Sequence, residues 1–273
     1  MQMIKDITLG QYFPGKSLVH SIDPRMKIVL TCVYMVALFM ATNAYGLALS
    51  VVFIIVITAI SGVPIKIVLK GLKPIIPIVI ITSIINAFYI PGAKIFSFYF
   101  LSMTYPGVAQ AIFMSFRIIF LIIGTSMLTY TTSPIALTDG LERLMAPLKF
   151  FKLPVHELSM MMTIALRFIP TLIEETDKIM SAQKARGADF ETGNLMRRVK
   201  ALIPIMVPLF VSAFRRAGEL ALAMDCRCYK GGEGRTRMRQ LKYSVTDFVA
   251  AFLFAALLAG IILFNINFKS ILS

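Results

Sequence analysis

Val108–Tyr130 reads VAQAIFMSFRIIFLIIGTSMLTY, with Arg117 as its one charged residue. A hydrocarbon core about 30 Å thick takes roughly 20 helical residues to cross, and this stretch exceeds that length with no proline in it. It reads as a membrane span. Val245–Ile266 meets the same test, while Ile28–Thr42, Leu47–Ile60 and Pro74–Ile90 are shorter apolar runs. The first two of these reach spanning length by borrowing Lys27, Asn43 and Tyr45. The whole composition agrees. Of 273 residues, 58% are hydrophobic and 15% charged, and mean hydropathy is +0.79, where a soluble domain is about half apolar and a quarter charged. The expected fold is all-α, a polytopic membrane protein with about five transmembrane helices. Disordered, collagenous and disulfide-stapled classes are excluded.

Loop charge orients the spans. Lys5, Lys16, Arg25 and Lys27 precede the first run, so no cleavable signal is expected and the first span is retained. The link Thr42–Leu47 is uncharged, the next carries Lys66, Lys70 and Lys73, and the long loop Pro91–Gly107 has only Lys94. Between Thr131 and Tyr243 there are 18 Lys and Arg against 11 Asp and Glu, and the tail has only Lys269. By the positive-inside rule the N-terminus is expected in the cytoplasm and the C-terminus outside. The chain then divides into a four-span region at 1–130, a cytoplasmic block at 131–243 and a last span within 244–273. The net charge of +14 records orientation and contact with lipid headgroups, and no nucleic-acid partner is expected.

The cytoplasmic block is too patterned for a loop. Ser133 and Pro134 suit the N-cap and first position of a helix that runs to about Met145 or Ala146. A second helix can start at Pro154. It puts Leu158, Met162, Ala165, Ile169, Leu172, Ile179 and Gln183 on one face, and Arg167, Thr171, Glu174 and Lys178 on another. Pro170 should kink it without ending it, and Gly187 should stop it. A third helix repeats the plan through Leu195, Val199, Leu202, Met206, Leu209, Ala213, Ala217, Leu220 and Met224. Its uncharged run Ala201–Phe214 is expected to be too short to span. The two helices end in Ala185-Arg186-Gly187 and Cys226-Arg227-Cys228. Each arginine sits where a helix dipole favours a cation, which serves C-capping and solvation as well as docking.

At these residues the sequence resembles the T component (CbiQ/EcfT) family of energy-coupling factor transporters, the ABC-type importers of vitamins and trace metals. The likeness spans nearly the whole chain. It is carried by Gly15-Lys16-Ser17, Asp23-Pro24-Arg25, Thr131-Thr132-Ser133-Pro134 and Leu166-Arg167-Phe168-Ile169-Pro170. It is carried most by Ala182-Gln183-Lys184-Ala185-Arg186-Gly187 and Ala223-Met224-Asp225-Cys226-Arg227-Cys228-Tyr229. The family signature is a pair of Ala-Arg-Gly motifs ending two cytoplasmic coupling helices. Here the first is complete and the second keeps its arginine between two cysteines, without glycine's easy left-handed exit.

The resemblance implies a non-catalytic bacterial plasma-membrane subunit, without cofactor or metal of its own. Ala185, Arg186, Gly187, Cys226, Arg227 and Cys228 would bind two ABC ATPases (EcfA and EcfA′), which hold the ATP and magnesium. A separate substrate-binding membrane protein, the S component, would rest on an apolar platform that includes Leu158, Met162, Ala165, Ile169, Met206, Leu209 and Ala213. Specificity for a vitamin would then belong to the S component. A Met-rich face (Met160, Met161, Met162, Met180, Met206, Met224) suits exchangeable partners, although core packing explains any one of these residues equally well.

Other chemistry is poorly supported. A buried arginine within a span is expensive and marks function or pairing. Arg117 is therefore expected to find a carboxylate or backbone carbonyls, or to contribute to partner contact. The first four spans contain no carboxylate. Cys226 and Cys228 lack neighbouring histidines for a metal, and Cys32 is a small apolar packer. Gly10–Ser17 satisfies the bare phosphate-loop spacing, but Pro14 removes an amide donor and no apolar strand precedes it. Glu174, Glu175 and Asp177 look like a solvated face, so a membrane-embedded enzyme is the weaker reading. An independent carrier would want broken helices in matched halves. A T component of a dedicated cobalt or nickel module is a further alternative.

Overall fold

The computed structural model describes residues 12–91, 94–98, 101–151, 154–188, 190, 194–231, 241 and 243–267. The start of the Asp6–Arg25 segment, most of the glycine-rich loop after Lys230, and Lys269 lie outside them. Apart from a short hairpin, the described elements are helices: α1 (Leu18–Ser21), α2 (Pro24–Met40), α3 (Ala44–Ser61), α4 (Ile65–Leu72), α5 (Ile76–Tyr89), α6 (Tyr105–Thr131), α7 (Pro134–Leu144), α8 (Val155–Ala185), α9 (Leu195–Cys226) and α10 (Val245–Asn267). Strands β1 (Lys94–Phe98) and β2 (Leu101–Thr104) pair antiparallel between α5 and α6. The sequence reading had only a loop there.

Five helical segments among the described residues are long and apolar enough to cross a membrane: Ala44–Ser61, Ile65–Tyr89, Tyr105–Thr131, Val199–Cys226 and Val245–Asn267. Their number matches the expectation but their membership does not. At 17 residues, α2 sits at the practical lower limit for a span. In contrast, α9 continues for 32 residues through Pro204 and Pro208, so its apolar length is not set by the uncharged run Ala201–Phe214. The expectation that this region is too short to span is corrected to that extent. Its polar interruptions remain, and its mean hydropathy of 1.4 is the lowest of the five.

The chain forms two compact units. One contains α1–α7 and α10. Its core gathers Tyr34 and Leu38 of α2, Leu47 and Ile54 of α3, Phe113 and Met127 of α6, and Leu257 and Ile261 of α10. Close approach is made by small residues: Gly124 of α6 lies against the Tyr34 ring, and Gly140 of α7 against Pro24. That second contact joins α7 to the bundle, so this compact unit extends to Leu144, beyond the sequence-based boundary at 130.

Polar groups pin this unit at both ends. Asn265 donates to the Met40 carbonyl at 2.6 Å and accepts from the Thr42 hydroxyl at 3.0 Å, closing the α2–α3 corner. At the opposite ends of these helices, the buried Asp247 carboxylate accepts from the backbone N–H groups of Asp23 (2.8 Å) and Ser244 (2.6 Å). Asp23 in turn holds Arg25 at 3.0 Å, and the guanidinium lies 4.4 Å over the Tyr243 ring. In the described part of the phosphate-loop-like stretch, Ser17 caps the four-residue α1 and the His20 ring packs on Gly15, bonded to the Phe13 carbonyl at 2.9 Å.

The second unit carries α8 and α9. Pro170 lies inside α8 and the helix runs on past it, as the unbroken phase of its apolar stripe requires.

Candidate functional site

The ends of α8 and α9 have the same backbone design. In α8, Arg186 is the C-cap and Gly187 adopts φ +86°. The Gly187 N–H donates to the Lys184 carbonyl and the Ala188 N–H to the Gln183 carbonyl, both at 3.0 Å. In α9, Arg227 is the C-cap and Cys228 adopts φ +55°. The Cys228 N–H donates to the Asp225 carbonyl at 2.9 Å and the Tyr229 N–H to the Met224 carbonyl at 3.1 Å. Each is the paired-bond Schellman termination, with its left-handed residue directly after the arginine. The arginine backbones match as well, at φ −86°, ψ 8° and φ −93°, ψ 14°.

The missing second glycine therefore does not change the fold of the motif: Cys228 takes the left-handed conformation itself. It is the one described residue other than glycine at positive φ. Ala185, Arg186, Gly187, Cys226, Arg227 and Cys228 are all exposed. Two exposed arginines thus stand at helix C-termini, where the partial negative charge of the last carbonyls favours a nearby cation. This arrangement suits an acidic recess on another protein.

The apolar platform residues are placed unevenly. Leu158, Met162, Ala165 and Met206 are exposed, and Ile169 and Leu209 are half-buried. Ala213 instead lines a crevice between α8 and α9, with Phe168, Leu172 and Leu220. The exposed face of α9 is wider than the stripe, since Ile203, Val207, Phe210, Val211 and Phe214 are also exposed. Glu175 is corrected from a solvated carboxylate to an inter-helix partner: it accepts from Arg216 Nη2 at 2.7 Å. The two residues are far apart in sequence, and a pattern on either helix gave no sign of the pair.

Arg117 is 8% exposed and resolves the choice of partner. Its Nη2 donates to the carbonyl of Ala41, the C-cap of α2, and its guanidinium carbon lies 4.7 Å over the Phe113 ring. The charge meets a backbone carbonyl at the negative end of a helix. Among the described residues, no three His, Cys, Asp or Glu side chains group as a metal site.

The cobalt transport protein (CbiQ) family model matches residues 15–238. The transmembrane protein EcfT of the energy-coupling factor transporter of Ruminiclostridium cellulolyticum is 54% identical over 97% of this chain and 100% of its own length. The EcfT protein of Clostridium kluyveri is 55% identical over 91% and 93%, and that of Bacillus subtilis 49% identical over 94% and 98%. The chain belongs to the CbiQ/EcfT family. As a family member with five apolar helices of spanning length, it is a multi-pass membrane protein.

Proposed function

We propose that the chain is the coupling subunit of an energy-coupling factor importer, with Arg186 and Arg227 each docking one of two ABC ATPases. The observation that carries this reading is the matched termination of α8 and α9, with an exposed arginine at the same capping position of each. The two ends offer one backbone frame and one cation to two similar grooves. Arginine suits such a contact because its planar fork pairs with carboxylates in two places at once.

In this reading α8 and α9 lie on the cytoplasmic side of a bacterial plasma membrane, and α2 rather than α9 supplies the fifth crossing, with the N-terminus inside and the C-terminus outside. The basic excess of residues 131–243 supports that orientation. ATP and magnesium bind the ATPases, and this chain holds no cofactor. Its exposed apolar faces on α8 and α9 receive a membrane-embedded S component, which binds the vitamin or micronutrient. ATP-driven movement of the ATPases pulls on the arginines, and the long helices transmit it to the S component.

The test is copurification. The tagged chain, extracted in mild detergent, should bring down two different ABC ATPases and at least one small membrane protein, identified by mass spectrometry. A chain that repeatedly emerges without an ATPase contradicts the reading.

A further inference from the structure

A cavity of about 280 Å³ lies among α1, α2, α3, α6 and α10. Leu30, Ile54 and Met127 form part of its apolar wall. Its lining is almost wholly apolar, and a cavity of that kind offers water few of the partners it needs.

One end of the cavity is polar. Lys27 lines it at 7% exposure. Its ammonium donates to the carbonyls of Thr131 at 2.8 Å and His20 at 3.3 Å, which uses two of its three hydrogens. Thr246 is also a lining residue, but its hydroxyl is itself buried and has no surface on the cavity. Asp23 and Asp247 are the carboxylates nearby, and both are already engaged by Arg25 or by backbone N–H groups.

The mouth lies where Ile60 of α3 and Val249 and Leu253 of α10, all exposed, reach the outer surface of this unit. Both helices are of spanning length and composition, so the medium at that surface is lipid. The polar end coincides with the first turns of α2 and α10 and the last turns of α3 and α6, which is the depth of a headgroup rather than of a bilayer centre.

We propose that this cavity binds a phospholipid, with one acyl chain inserted between α3 and α10 and the ester or phosphate oxygens accepting a hydrogen bond from Lys27. An acyl chain satisfies the apolar wall, and an anionic or ester oxygen satisfies the spare ammonium hydrogen. The site is independent of the arginine ends of α8 and α9.

The test uses the full chain purified in detergent, with retained phospholipid measured by native mass spectrometry. Two variants are compared with wild type: Ala250→Leu, which fills the cavity, and Lys27→Met, which removes the ammonium. Wild type should retain one phospholipid through detergent exchange. Ala250→Leu should lose it, and Lys27→Met should reduce retention several-fold. Added dioleoyl phosphatidylglycerol should raise the thermal midpoint of delipidated wild type and leave that of Ala250→Leu unchanged. Equal retention by wild type and Ala250→Leu would overturn the proposal, since it would reflect only the lipid annulus. Retention of a free fatty acid in place of phospholipid would also overturn it. Ala250→Leu keeps the test decisive if Lys27→Met does not fold.

Discussion

At Cys228 a side chain occupies a backbone region that glycine enters freely and L-residues enter at a cost of about 1 kcal/mol or more. Cys228→Gly relieves that strain, partly offset by the greater freedom of glycine in the unfolded chain. The expected net gain is roughly 0.5 kcal/mol, read as slower amide exchange in residues 224–229. Gly187→Ala acts in the opposite sense at φ +86° and should speed exchange at the end of α8, since it costs about 1 kcal/mol. Faster exchange at the α9 end of Cys228→Gly would show that the thiol contributes a contact worth more than the strain. Arg117 is a different residue-scale case. Arg117→Met removes the donor to the buried Ala41 carbonyl and should destabilise the bundle by about 1–3 kcal/mol. A thermal midpoint equal to wild type would mean that the carbonyl finds another donor.

The pair α8 and α9 is held by an apolar crevice and by the Arg216–Glu175 contact. Because both side chains are partly exposed, at 33% and 21%, their coupling should be no more than about 1 kcal/mol in a double-mutant cycle. A much larger value would imply that the pair is shielded in the assembled protein. The helices themselves were readable: apolar runs located α3, α6 and α10, and a stripe in constant phase carried α8 through Pro170. What escaped the sequence has physical causes. The Lys94–Thr104 hairpin is too short for its alternation to stand out. The bond from Arg117 to Ala41 and the ion pair from Arg216 to Glu175 join residues with no local spacing to reveal them. The dihedral angle of Cys228 is set by the Schellman bonds around it, and only the parallel with Gly187 hinted at it.

At the scale of the whole molecule, basic charge and two matched helix ends combine into one expectation: a membrane subunit that grips soluble ATPases at two points. The arginines were legible from the sequence as a repeated ending, while their equal backbone geometry emerged only in the fold. Reversing a charge that docks against acidic groups removes an attraction and adds a repulsion. Disrupting a close interfacial charge pair costs about 2–5 kcal/mol, or more than tenfold in affinity. Arg186→Glu or Arg227→Glu should therefore weaken capture of one ATPase, and the two together should weaken both. The most direct measurement is the amount of each ATPase retained by the tagged double variant Arg186→Glu/Arg227→Glu, relative to wild type at equal membrane insertion. The account predicts that both ATPases are lost while the chain remains inserted. Retention of both at the wild-type level would contradict it.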